Sequence, residues 1–198
     1  MARPTRFPPF PPLTWDGDFW TGKVKLPSWR GFQNRQGPYT SARTSRRSTG
    51  LTAVYVVPKD DEERVPPTVE QGKAFQFLVD HEPKIQAAVV AAIFQRYPEI
   101  RESYGDDDGP EMPLLTHPQQ LQSMIGLGTV HVLNVKYANA AYVGFELGCN
   151  WDEEHGLGVL THKQRIVALG EADTAFDEET AESDARKQQR KKREHKGK

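Results

Sequence analysis

The most regular hydrophobic pattern in the chain is an alternation of apolar and polar positions over residues 141–151. Its apolar members are Ala141, Val143, Phe145, Leu147, Cys149 and Trp151. A period of two held over this length predicts a β-strand. Residues 129–137 alternate in the same way before Asn139, and shorter apolar runs follow at 157–162 and 165–170. The C-terminal third is therefore predicted to form an antiparallel meander.

Two further strands are predicted near the N-terminus. Residues 23–26 alternate, and 51–57 is a β-branched, apolar run that Pro58 closes. Asp16 and Gly17 lie between aromatic residues, which indicates a hairpin turn ahead of the first strand. These strands are expected to join the meander in one sheet.

The pattern between the two β regions is helical. Thr68, followed three residues later by Gln, forms a capping box and predicts a helix over about 69–81. Pro83 suits the first turn of a second helix or a kink in one long helix, whose apolar stripe ends near Pro98. A short helix, ended by two glycines, is predicted over about 117–124.

These elements predict an α+β fold: an antiparallel sheet, made of the N-terminal strands and the C-terminal meander, packed on one face against two or three helices. Residues 1–12 are rich in proline, so we expect them to be disordered. Residues 13–177 form the predicted single domain. Residues 178–198 lack apolar side chains almost entirely, which predicts a disordered tail or a solvent-exposed helix.

Composition narrows the class of protein. One cysteine leaves no internal disulfide, so a reducing cytoplasm is the expected compartment, and no run approaches the roughly 18 apolar residues of a membrane span. The net charge of -1 averages three unequal parts. Residues 1–50 carry +7, residues 186–198 also carry +7, and the stretch between them carries -15. An acidic body with two basic ends bears on partners rather than on fold.

The turn after residue 150 concentrates chemically active side chains. It reads WDEEHG, with Glu146 on the strand before it and His162 at the end of the strand after it. If the hairpin is symmetric about the turn, Glu146 and His162 become cross-strand neighbours. The acid/base candidates are Glu146, His155 and His162. The candidate oxygen ligands for a hard cation are Asp152, Glu153 and Glu154.

Purely structural interpretations of the same residues compete with these functional ones. Carboxylates in a hairpin turn are usually solvated, Gly156 supplies a turn conformation, and Trp151 anchors the turn to the core. Cys149 and His131 are expected to be core residues. Gly144, with Gly148, leaves room for something to approach the sheet, and a covering helix is the expected occupant.

Basic segments suggest a second kind of partner. Cations and aromatic residues alternate over residues 29–47, as they do in proteins that bind single-stranded nucleic acid. The candidate contacts are Arg43, Arg46 and Arg47 in this loop, and Arg190, Lys191, Lys192 and Arg193 in the tail. No sequence-reading motif accompanies them, so any association with nucleic acid is expected to be nonspecific.

Longer blocks of sequence resemble a known family. Residues 145–159 read F-x-x-G-C-x-W-D-x-E-H-G-L-G-V, preceded by GxVHVL and followed by GxADT. KVKLPSWRGFQNRQGPY lies near the N-terminus. Together these blocks resemble an uncharacterised bacterial domain-of-unknown-function family over about residues 20–177. The resemblance implies a fold and a bacterial origin, and no activity.

Two classes of function follow. The leading hypothesis is a non-enzymatic domain, immunity-like or accessory, that binds another protein of basic charge through its acidic body. Its contact residues would be Trp151, Asp152, Glu153, Glu154 and His155. The alternative is a metal-dependent or acid/base hydrolase-like enzyme that uses the same turn. No cofactor and no membrane are expected.

Overall fold

A computed structural model describes residues 3–34, 47–59, 64–105 and 112–196. Within these ranges, seven strands form one sheet in the order of the sequence. The strands are β1 (Thr14–Trp15), β2 (Trp20–Lys25), β3 (Leu51–Val56), β4 (Ile125–Tyr137), β5 (Ala140–Cys149), β6 (Leu157–His162) and β7 (Arg165–Gly170). The α-helices are α1 (Val69–Ser103) and α2 (Glu178–Lys196). Short 3₁₀ helices cover Pro27–Trp29, Pro118–Ser123 and Ala172–Phe176.

The predicted α+β class is confirmed, with one parallel pair in an otherwise antiparallel sheet. β3 runs parallel to β4, because α1 lies between them in sequence and returns the chain to the same end of the sheet. The predicted β1–β2 and β4–β5 hairpins are present on either side of this parallel pair. Asp16 accepts hydrogen bonds from the N–H groups of Asp18 and Phe19, at 3.1 and 2.8 Å. In the β4–β5 turn, Asn139 has a φ of 64°.

α1 unites the two helices predicted on either side of Pro83. It begins at the predicted capping box of Thr68, and His81 has a non-helical backbone at the kink. It also continues through Pro98, where the sequence pattern places its end. Packing explains the extension, because Tyr97 donates a hydrogen bond to the carbonyl of Pro113 at 2.9 Å and Arg101 donates one to that of Met112 at 2.9 Å.

Helices cover both faces of the sheet, which corrects the expectation of one covered face. α1 packs on the first face, in a core that includes Phe75, Val89 and Phe145. α2 packs on the second face, where Tyr142 and Leu160 belong to a separate buried cluster. The buried members of this second cluster are Leu133, Tyr142, Leu160, Ala181 and Ala185. The central strands are buried on both faces, so both alternating sets of side chains need a cover.

Residues 3–12 pack on the domain, which differs from the expectation of disorder, whereas the tail forms the helix that the sequence analysis gives as its second alternative. Thr5 and Leu13 exchange two backbone hydrogen bonds, and Phe10 is 8% exposed against Phe75 at a ring distance of 4.7 Å. The aromatic residues between the prolines supply the apolar surface that holds this segment in place. At the other end α2 is docked through Ala181 and Ala185, and every described side chain from residue 189 to 195 is exposed.

Candidate functional site

The WDEEHG turn is organised around the side chain of Asp152. Its Oδ1 accepts a hydrogen bond from the backbone N–H of His155 at 2.8 Å, and its Oδ2 accepts one from the hydroxyl of Tyr104 at 2.7 Å. Nδ1 of His155 lies 3.1 Å from the same carboxylate. Gly156 closes the turn with a φ of 64°, and a Cβ there would lie 2.8 Å from the carbonyl oxygen of Leu147. These contacts fix the turn in one conformation.

The contacts of Asp152 shift three pKa values. Burial alone would raise the pKa of Asp152, but hydrogen bonds from His155 and Tyr104 outweigh it and leave that pKa below its ordinary value. The same carboxylate raises the pKa of His155, chiefly through their hydrogen bond, and Glu171 and Glu154 add to the effect. Burial and then the bond to Asp152 raise the pKa of Tyr104. The turn therefore favours an ionised Asp152 beside a protonated His155.

The remaining turn residues divide into an anchor and an exposed tip. Trp151 is 9% exposed and packs edge-on against Tyr97 at a ring distance of 5.5 Å, as the structural interpretation expects. The side chains of Glu153, Glu154 and His155 are exposed. Within the described ranges, no group of three or more His, Cys, Asp or Glu side chains is arranged to hold a metal ion.

Glu146 lies away from the turn and pairs with His131. The Nε2 of His131 is 2.7 Å from Glu146 Oε2, and the two side chains are 8% and 11% exposed. Phe176 covers the imidazole at a ring distance of 5.0 Å, and Tyr55 approaches it edge-on at 5.6 Å. A buried His–carboxylate pair is thus present on the second face of the sheet, beside the 3₁₀ helix Ala172–Phe176.

His162 occupies a third environment. Its Nε2 donates to the carbonyl oxygen of Tyr137 at 2.9 Å, and burial lowers its pKa. The expected contact with Glu146 is wrong, because β5 and β6 pair Glu146 with Gly158. The β5–β6 register is centred on Asp152, because Leu147 pairs with Leu157, whereas a hairpin closed symmetrically over residues 152–156 would be centred two residues later. The acid/base candidates Glu146, His155 and His162 do not converge.

The His131–Glu146 pair is the arrangement that the sequence analysis missed, although the sequence contains its signal. Counting outward from a two-residue turn at Ala138 and Asn139 places His131 opposite Glu146. In the structure, irregular pairing between residues 132 and 136 shifts the register, so that Glu146 faces Thr129 and reaches His131 diagonally. The sequence predicts a core position for His131, and its buried position agrees with that prediction.

In the described part of the cation–aromatic segment, residues 29–34 and 47, the two aromatic residues are buried and leave no ring exposed for stacking. Trp29 and Phe32 are 1% and 6% exposed and belong to the core. Arg47 is exposed and donates to the carbonyl oxygen of Gly31 at 3.2 Å, whereas Arg43 and Arg46 lie outside the described residues. The tail candidates are Arg190, Lys191, Lys192 and Arg193, and all four are exposed on the C-terminal half of α2.

Gly144 confirms the expected close approach of a covering helix. A Cβ on Gly144 would lie 1.6 Å from the carbonyl oxygen of Ala175, and one on Gly158 would lie 2.3 Å from that of Glu171. The backbone of the 3₁₀ helix Ala172–Phe176 therefore rests directly on β5 and β6. This contact positions Phe176 over the His131 ring.

These features define an α+β domain with a doubly covered sheet, a buried His–Glu pair and a braced acidic turn. The chain belongs to the family described as a domain of unknown function (DUF6985), whose model matches residues 20–176. Comparison with curated proteins found no match, and comparison with solved structures found none. In the part of the chain that the structure describes, neither α-helix has the length and apolarity required to cross a bilayer.

Proposed function

We propose that this protein is a non-enzymatic interaction domain, immunity-like or accessory, of the bacterial cytoplasm. It binds another protein of basic charge through its acidic body. The observation that carries the proposal is the braced turn, in which Asp152 fixes the backbone while Glu153 and Glu154 are exposed at the tip. An interaction site of fixed conformation loses less entropy on binding than a flexible one.

Charge supports the same proposal. Residues 51–185 carry -15, so a cationic partner would be attracted over distances comparable to the Debye length. The pKa of His155 is raised first by its hydrogen bond to Asp152 and then by the negative charges of Asp152, Glu171 and Glu154, so carboxylates surround this part of the turn. Complementary charge of this kind accelerates association and disfavours acidic competitors.

The individual turn residues have different roles in this proposal. Glu153 and Glu154 provide exposed carboxylates for contact with a partner. Trp151 and Asp152 maintain the conformation of the turn, since the first is buried and the second is held by Tyr104 and His155. A hydrolase-like site is not proposed, because its acid/base candidates lie in three separate environments.

Affinity capture from the native host, with the full chain as bait at low salt, tests the proposal. The wild type should retain one stoichiometric protein of basic charge. The Glu153→Lys/Glu154→Lys variant should lose it, because the attractive contact becomes repulsive. Asp18→Lys/Glu179→Lys makes the same change of charge at two exposed positions outside the WDEEHG turn and should retain it.

The purified pair then gives a quantitative answer. The association rate should fall steeply with added salt for the wild type and less steeply for the Glu153→Lys/Glu154→Lys variant. No stoichiometric partner at low salt, or equal capture by both double variants, would contradict the proposal.

A further inference from the structure

Among the described residues, the second face of the sheet is covered over its C-terminal strands, and no described helix covers it over β2 and β3. A groove of about 600 Å³ lies on this open part. Its walls include Lys23, Arg47, Leu51, Ala53, Tyr55 and Thr129. This volume falls within the range of pockets that bind small ligands or parts of larger ones. We call this feature the open-face groove.

The charge of the open-face groove is opposite to that of the body. Its described lining holds two cations, Lys23 and Arg47, and no carboxylate, although residues 51–185 carry -15. Lys23 is exposed on β2. Arg47 is held at the wall by hydrogen bonds to the carbonyl oxygens of Gly31 at 3.2 Å and Gln122 at 3.4 Å. A purely cationic lining in an acidic domain indicates an anionic ligand.

Aromatic side chains give the groove a second chemical feature. Tyr55 lines it and stacks with Phe19 at a ring distance of 5.9 Å and an interplanar angle of 22°. Both side chains are partly exposed. The hydroxyl of Thr129 lies on the neighbouring strand and supplies a hydrogen-bonding group in the lining. An anion that also presents a flat ring would use both features.

We propose that the open-face groove binds single-stranded nucleic acid, with phosphates beside Lys23 and Arg47 and a base stacked on the aromatic pair of Tyr55 and Phe19. Proteins that bind single strands combine these two elements, and a sheet face with exposed aromatic residues is a recurrent platform for them. This binding is independent of the acidic turn. It also differs from a nonspecific attraction to the tail, because the contacts lie in a concave site.

Fluorescence anisotropy with the full chain and a short labelled oligouridine tests the proposal. Lys23→Glu should weaken binding at least tenfold at about 50 mM salt and lower the magnitude of the salt slope by about one. Lys84→Glu makes the same change of charge on exposed α1, across the sheet, and should alter affinity less than about twofold. Lys191→Glu is the matched control for the tail. An effect of Lys191→Glu equal to or larger than that of Lys23→Glu would overturn the proposal, as would no binding at this salt.

The stacking contact needs its own variants. Tyr55→Phe keeps the ring and should retain binding, whereas Tyr55→Leu should weaken it about tenfold. Circular dichroism melting checks that each variant is folded. If Tyr55→Leu is unfolded, the comparison of Lys23→Glu with its controls tests whether the groove binds the oligonucleotide. An unlabelled duplex of matched length should compete poorly, because its bases are already stacked. Competition by the duplex, or by uridine monophosphate, at the affinity of the oligouridine would overturn a single strand as the ligand.

Discussion

Gly144 gives the most direct test of how the second face is assembled. In Gly144→Ala the new methyl carbon would lie 1.6 Å from the carbonyl oxygen of Ala175 and 2.4 Å from its carbonyl carbon, whereas ordinary contacts begin near 3.4 Å. The obstacle is backbone, so no rotation of a side chain removes it. The 3₁₀ helix Ala172–Phe176 would have to move outward by about 2 Å.

The cost of that movement can be bounded. Overpacking a close-packed site costs about 1–3 kcal/mol, and occasionally more. The upper part of that range applies here, because Gly158 makes a second backbone contact with the same 3₁₀ helix and prevents it from pivoting. Outward movement also exposes Ala175, which is fully buried. We expect Gly144→Ala to lose about 3 kcal/mol of unfolding free energy.

Urea unfolding followed by tryptophan fluorescence measures this loss, with an unchanged slope showing that the same surface is exposed on unfolding. Gly72→Ala is the matched control, since its nearest contact is the ring carbon Cδ of Pro9 at 3.3 Å and alanine favours the α1 backbone. It should change the free energy by less than about 1 kcal/mol. A similarly small loss for Gly144→Ala would refute the inferred close contact.

Three further predictions concern the buried and braced polar groups. Glu146→Ala should cost about 3 kcal/mol in chemical denaturation because it leaves His131 buried without its partner, and adding His131→Leu should recover much of that loss. A loss below about 1 kcal/mol for the single variant would contradict this. Asp152→Ala should cost about 1–2 kcal/mol in the same assay and more than Tyr104→Phe, since it removes every bond that the carboxylate accepts; equal losses would be inconsistent with a central Asp152. The pKa of His162 is lowered, so its contribution to stability is complete above roughly pH 6.5 and is lost as the pH falls toward the folded value. Melting temperatures at about pH 7.5 and pH 5.5 should therefore differ less in His162→Gln than in the wild type, and an identical difference would exclude this role.

The strands could be predicted from the sequence because a strand that is buried on one face has an apolar residue at every second position. The β5 alternation depends on local sequence alone, and its predicted span of 141–151 agrees closely with the observed Ala140–Cys149. The start of β4 was not readable in this way. The sequence pattern places Gly126 at the end of a short helix, but it pairs with Gly148 inside the sheet. Pairing with β5 outweighs the weak strand propensity of glycine.

The hydrophobic pattern could not predict which strands pair when they are distant in sequence. Ala53 lies opposite Thr129 in the parallel β3–β4 pair, and the intervening α1 determines the direction of β4. Prediction of the candidate site was limited in the same way, because a sequence pattern shows local contacts and not tertiary ones. Asp152 and His155 are three residues apart, and their contact is local, whereas the partners Tyr104 and His131 are set by tertiary packing.

The two halves of the second face follow from the size of the side chains on their strands. Where the 3₁₀ helix Ala172–Phe176 meets the sheet, Gly144 and Gly158 permit backbone contact. On β2 and β3 the corresponding face carries Lys23 and Tyr55, whose long side chains would hold a covering backbone several ångströms away. The same residues that keep a helix off this part of the sheet also supply its charge and its ring. This part of the face therefore carries a long cationic and a large aromatic side chain on β2 and β3, and its second cation, Arg47, lies in the segment before β3.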